Sequence, residues 1–169
     1  MKEIAIKDFS MKVFAKWDPE WLLLAAGDFE KHDFNFMTVA WGAIGVLWNK
    51  PIAIIFVRPS RYTYDFTEKY DSFTLNGFSP EYKDALTVCG TKSGRDIDKI
   101  KASGLTPISS VSVKSPSFKQ ANLVIECKKI YFDDLNPGNF LSPEIENNYS
   151  GEDYHRFYFG EVLKIFSDK

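Results

Sequence analysis

The chain reads as a mainly β protein: an antiparallel barrel with a few short helices packed outside it. Two observations carry this. About seven strand-like apolar runs are spread over the whole length, and helix signals fall only between the early ones. A doubly wound parallel sheet would alternate strand and helix throughout, whereas an antiparallel barrel needs no such crossovers. Length and composition agree. With 169 residues, 44% of them hydrophobic, the chain fits one domain over residues 1–169 with a substantial core.

The elements follow in order. Trp21-Leu-Leu-Leu-Ala-Ala-Gly27 is a buried strand closed by glycine, and Asp28–Phe34 is a charged loop. Phe36–Ile44 and Pro51–Val57 are core strands joined through Gly45-Val-Leu-Trp-Asn-Lys50. Thr63 is placed to cap a helix through Tyr70, with Asp65 in its first turn, where the helix dipole favours an acid. Ser72–Phe78 is a further strand. Ser79-Pro80 opens a helix that stops near Gly90, since proline suits the first helical position. Asp96 is expected to cap Ile97–Ser103, which Gly104 ends. Pro107–Val113, Leu123–Phe132 and Tyr154–Phe166 are strands, separated in the last case by a long excursion over residues 133–151. In the final strand His155, Phe157, Phe159, Glu161, Leu163 and Ile165 share one mostly apolar face.

Several functions are disfavoured. A formal net charge of −2 and the lack of any strongly basic window give no footprint for nucleic acid. The apolar runs are too short to span a bilayer and the start has no signal-like core, so a cytoplasmic location is expected. His32 and His155 have no Cys or His partner at ligand spacing, so no metal site is expected. No Gly-x-Ser-x-Gly elbow, Gly-x-Gly-x-x-Gly turn or phosphate-binding loop occurs. Cys89 and Cys127 read as two separate structural thiols.

One stretch stands apart. Val57-Arg-Pro-Ser-Arg-Tyr-Thr63 joins a buried strand to a helix start and carries two guanidinium groups and three hydroxyls. Hydroxyl donors, helix-start amides and a bidentate arginine match a phosphate dianion, though arginines paired with surface acids would look the same. Ser93, Gly94, Arg95 and Lys99 form a second polar turn. Trp41 and Trp48 flank Gly42 and Gly45, where either core packing or a flat ring laid against backbone amides would fit. Together these features suit a phosphate-bearing aromatic ligand, and flavin mononucleotide (FMN) fits best.

Five blocks then carry a resemblance: Asn35-x-Met-Thr-x-x-Trp-Gly42, Trp48-x-Lys-Pro51, Val57-Arg-Pro-Ser-Arg-Tyr-Thr63, Gly90-Thr-Lys-Ser-Gly-Arg-Asp-x-Asp-Lys99 and Tyr154-His-Arg-x-Tyr-x-Gly-Glu161. The chain resembles the flavin reductase-like, FMN-binding split-barrel family, in its flavoredoxin-like branch, from about Leu22 to Ile165. The resemblance implies an antiparallel, Greek-key-like split β-barrel with a few short peripheral helices, assembled as a homodimer. It also implies FMN contacts at Asn35, Met37, Thr38, Ala40 and Trp41, at Arg58, Ser60, Tyr62 and Thr63, and at Ser93, Gly94 and Lys99. Phe36 stands where the family usually has an aliphatic residue. The implied activity is hydride transfer from NAD(P)H to flavin and on to an acceptor, which needs no catalytic acid–base residue because the cofactor carries the chemistry. An FMN-containing electron carrier reduced by a partner protein, and a non-redox module binding another planar ligand, are the alternatives. They differ in turnover with free nicotinamide and in colour.

Overall fold

The computed structural model describes residues 1–149 and 151–168. Its strands are β1 (Lys2–Ile4), β2 (Leu22–Asp28), β3 (Asp33–Val39), β4 (Gly42–Leu47), β5 (Lys50–Val57), β6 (Ser72–Gly77), β7 (Pro107–Ile108), β8 (Ser117–Phe118), β9 (Leu123–Asp134) and β10 (Arg156–Ser167). The helices are α1 (Val13–Ala15), α2 (Tyr62–Lys69), α3 (Lys83–Thr91) and α4 (Lys99–Ser103). The main sheet runs β3-β2-β6-β9-β10-β5-β4, with β1 also on β10. Every pairing in it is antiparallel. β3 and β4 end this path, so the barrel is split between two strands that are neighbours in sequence.

Side-chain alternation explains the layers. Leu22, Leu24 and Ala26 of β2 join Val39, Ile55, Val57, Phe73, Leu75, Ile125, Tyr158 and Val162 inside the barrel. Leu23 and Ala25 point the other way, into a second core with Phe36, Phe118, Val124 and Leu86 and Cys89 of α3. β2 is therefore buried on both faces, and its sequence is an unbroken apolar run for that reason. The polar alternates of β6 and β9 hold the covering loop instead. Thr74 Oγ1 donates to the Pro116 carbonyl (2.6 Å), and Glu126 accepts the amides of Val111 (2.8 Å) and Ser112 (2.6 Å). Both thiols are buried and unpaired, and burial raises their pKa values, which keeps them protonated.

Several expected elements differ. Phe36–Ile44 is two strands, because the chain crosses the barrel split at Ala40-Trp41. Asp33 and Phe34, read as loop, already belong to β3. β4 and β5 are joined by a two-residue turn, Leu47 pairing with Lys50, rather than by a longer link. Trp48 (φ 51°) and Asn49 (φ 58°) both adopt the left-handed conformation that such turns require. Arg61, not Thr63, is the residue before α2, and Thr63 lies inside it. Asp98, not Asp96, caps α4 by accepting the Lys101 amide (3.1 Å). The strand foreseen over Pro107–Val113 ends at Ile108, because Glu126 draws the following amides into a loop.

The face of β10 is the largest correction. Tyr158, Gly160 and Val162 face the core, and irregularities in the β9–β10 register shift the alternation before Ile165. Phe157 and Phe159 point outward, where they meet Phe56, Tyr131 and Trp48 at ring separations of 5.5–5.9 Å. Trp48, in the β4–β5 turn at the edge of this outer aromatic face, is 56% exposed.

Candidate functional site

Buried β5 delivers the chain to Arg58, and Pro59 cannot extend the ladder because it lacks an amide hydrogen. The Arg61 amide returns to the Arg58 carbonyl (3.0 Å), which turns the chain into α2. In the first turn of α2, buried Thr63 accepts a hydrogen bond from Asn35 Nδ2 (3.0 Å), pinning β3 to the helix. Two cavities open around this turn. One, about 250 Å³, is lined by Met37, Arg58, Ser60, Arg61, Asp153 and His155. The other, about 100 Å³, is lined by Met37, Ser60, Arg61, Tyr62, Thr63, Thr91, Lys92, Ser93 and Lys99. They share Met37, Ser60 and Arg61 and so form one bipartite hollow.

Seven of the residues singled out from sequence line this hollow: Met37, Arg58, Ser60, Tyr62, Thr63, Ser93 and Lys99. Asn35 and Gly94 stand directly behind. A Cβ on Gly94 would lie 2.7 Å from Asn35 Oδ1 and 3.1 Å from the Tyr62 ring, so only glycine allows this approach. Thr38 is turned away and donates to the Leu86 carbonyl of α3. Ala40 and Trp41 form the β3–β4 crossing, and the Trp41 ring lies 5.2 Å from that of His155. Phe36 is directed into the second core, edge-on to Phe118 at 5.0 Å, so its aromatic character bears on packing. Of the two glycines read as serving either core packing or a flat ring, Gly42 is covered by Trp17, whose indole would clash with a Cβ at 2.1 Å. Gly45 is open, but it lies on the exposed part of β4, away from the hollow.

The electrostatics favour an anion. Arg58 donates to the Asn148 carbonyl (2.7 Å), Arg61 to the Gly90 carbonyl, and Lys99 to the carbonyls of Phe36 (2.8 Å) and Cys89 (3.1 Å). Carbonyls satisfy these donors without cancelling their charge. Among the described residues no carboxylate lies within ion-pairing distance of the three. Burial lowers the Lys99 pKa to about 8, and Arg61 opposes its charge further. Burial also lowers Arg61, with Arg58 adding to the effect. The His155 ring is held down to about 4, first by burial and then by Arg58, so it is neutral at pH 7. Its Nδ1 is 3.0 Å from the Tyr149 hydroxyl.

Sequence reasoning passed over Asp153, His155, Thr91 and Lys92 as lining residues, and noted Arg61 only as part of a cluster. Asp153 is far from Ser60 in sequence, and nothing local marks it as a site residue. His155 falls within the closing block of the resemblance, which is the one signal that pointed to it. Among the described residues no group of His, Cys, Asp and Glu could hold a metal ion, and no helix is long and apolar enough to cross a membrane.

Residues 22–166 match the model of the flavin reductase like domain. The chain belongs to that family. An uncharacterized protein of Pyrococcus abyssi (strain GE5 / Orsay) is 34% identical over 95 residues, which cover 56% of this chain and 53% of the relative. The chain thus aligns to about half the length of that relative. Flavoredoxin of Desulfovibrio vulgaris (Miyazaki F) superposes with a TM-score of 0.68 at 23% identity, covering 88% of this chain and 69% of that one. An FMN-binding protein from Thermus thermophilus superposes with a TM-score of 0.67 at 16% identity, covering 99% and 81%. At these identities the two structures establish the shared fold: a mainly antiparallel split barrel with few short helices.

Proposed function

We propose that the hollow binds FMN and that the protein is an oxidoreductase moving hydride from NAD(P)H to flavin and on to an acceptor. The observation that carries this is the set of buried or half-buried cations, Arg58, Arg61 and Lys99, held by carbonyls around a cavity that also presents hydroxyls of Ser60, Thr63 and Ser93. Such a donor set fits a phosphate monoester. The adjoining larger cavity offers Met37 and neutral His155, with Trp41 behind the histidine, as surfaces for a planar ring. When bound, FMN would supply the hydride-accepting ring.

In this reading Arg61 and Lys99 hold the phosphate end, and Tyr62 walls the smaller cavity. Asn35, Thr63 and Gly94 fix the spacing between β3 and the turn. Ala40 and Trp41 border the ring, and Thr38 acts from behind by tying β3 to α3. No side chain need carry a proton for hydride transfer. The partners are a small-molecule donor and acceptor, or a redox protein, and neither nucleic acid nor membrane. We place the protein in the cytoplasm, and we assign the outer aromatic face of β5, β9 and β10 to a second copy of this chain in a homodimer.

Absorption spectra of the purified protein test the reading, taken before and after adding FMN and then NADH without oxygen. Flavin bands that bleach with NADH support the reductase. Bands that persist until dithionite is added point to an electron carrier reduced by a protein. Failure to bind FMN overturns the site assignment.

A further inference from the structure

One acidic side chain sits among the cations of the hollow. The Asp153 Oδ1 atom accepts the Ser60 backbone amide (3.1 Å), and Oδ2 accepts the Ser60 hydroxyl (2.5 Å). Among the residues lining the two cavities, Asp153 is the one carboxylate. It takes an amide hydrogen and a hydroxyl hydrogen from a single residue, the pair of donors a phosphate oxygen would use there. Neighbouring residues of the same segment hold Arg58, through the Asn148 carbonyl and the face of Tyr149, whose ring centre is 5.2 Å from the guanidinium carbon. On the other side of Ser60, Arg95 donates to the Ser60 carbonyl (3.3 Å) and pairs with Asp65 (2.9 Å). The other charged groups facing Asp153 are Arg58 and Arg61, both positive.

We propose that Asp153 is an internal competitor for the phosphate of the ligand, so that the site holds a phosphate-bearing ligand exchangeably and not as a permanently bound group. The inference rests on the phosphate subsite of the preceding section. A carboxylate and a phosphate cannot share the two Ser60 hydrogens, and both carry negative charge. Binding therefore exchanges one anion for another at Ser60. The stabilisation Ser60 gives to the incoming phosphate is offset by what Asp153 loses. A ligand without phosphate does not enter this exchange.

The test compares the protein with its Asp153→Ala and Asp153→Asn variants, using inorganic phosphate, FMN and riboflavin as separate probes. Removing the carboxylate should raise the affinity for phosphate and for FMN on the order of tenfold, the scale of one charge-assisted hydrogen bond, while riboflavin binding stays unchanged. FMN dissociation should slow in proportion. Asp153→Asn keeps an oxygen acceptor for Ser60 without the charge, so it should fold normally and gain less. Affinity for phosphate that is equal or lower in both variants, with unchanged melting temperatures, overturns the proposal and makes Asp153 a support for Ser60. Tighter phosphate binding in a protein that takes neither flavin sustains the competitor and rejects the flavin. If phosphate binds to none of the three proteins, the competitor and the subsite fall together.

Discussion

Replacing Thr63 by valine removes one hydroxyl and leaves the shape of the side chain almost unchanged. Thr63 is 1% exposed and Asn35 is 5% exposed, so the Asn35 amide that donates to Thr63 Oγ1 would have little water to turn to. Orphaning a buried donor costs about 1–3 kcal/mol. For a chain of 169 residues each kcal/mol lowers the melting temperature by about 2–4 °C, so a loss of about 4–8 °C is expected for a mid-range cost. Replacing both partners by apolar groups of similar size, Asn35→Leu with Thr63→Val, should recover much of that loss, because neither group then lacks a partner. The assay is urea unfolding of the four proteins of the cycle, read as a coupling energy of about 1–2 kcal/mol. Strictly additive effects would mean that the bond does not tie β3 to α2, and the pinned geometry of the site would lose its physical basis.

Two further outcomes follow from the same site. Gly94→Ala places a methyl 2.7 Å from Asn35 Oδ1, an atom that cannot retreat while its amide is held by Thr63. The variant should lose about 1–3 kcal/mol and bind FMN more weakly; an unchanged melting temperature and FMN titration would refute the close approach. His155 titrates at about 4 in the folded protein against an ordinary value of 6.5, so between those values the unfolded chain takes up a proton that the folded one refuses. Its contribution is therefore intact above about pH 6.5 and is lost as the pH falls towards 4, by about 3 kcal/mol. His155→Gln should flatten this part of the stability profile, and a wild-type minus variant difference that stays constant from about pH 7 to 4.5 would contradict the buried neutral ring.

The sequence revealed the fold wherever burial on a strand was simple. β2 shows as a run because both its faces are covered, and the long β9 shows through Leu123, Ile125 and Cys127. It misled where tertiary geometry decides. The β3–β4 crossing leaves no mark, since Ala40 and Trp41 are as apolar as the strands they join. In β10 the aromatic face is the outer one, and polarity alone cannot tell a core face from an apolar outer one. Trp17 covering Gly42 joins two segments that share no local pattern, so the sequence left core packing and a flat ring both open there, and core packing holds at Gly42.

The site was legible in the same uneven way, for a reason that bears on its function. Arg58, Ser60 and Thr63 are dense polar residues directly after a buried strand, and a phosphate-binding reading needs little more. What the sequence could not show is how each charge is satisfied. Arg58, Arg61 and Lys99 donate to carbonyls contributed by Asn148, Gly90, Phe36 and Cys89, and each of these acceptors is distant from its donor or on another element. Had acids filled those places, the cluster would be a neutral structural network. With carbonyls there, the positive charge remains and is drawn towards the hollow, where Asp153 alone among the lining residues opposes it. The balance between three cations and one carboxylate, and not the count of arginines in the motif, determines whether an anion belongs in this cavity.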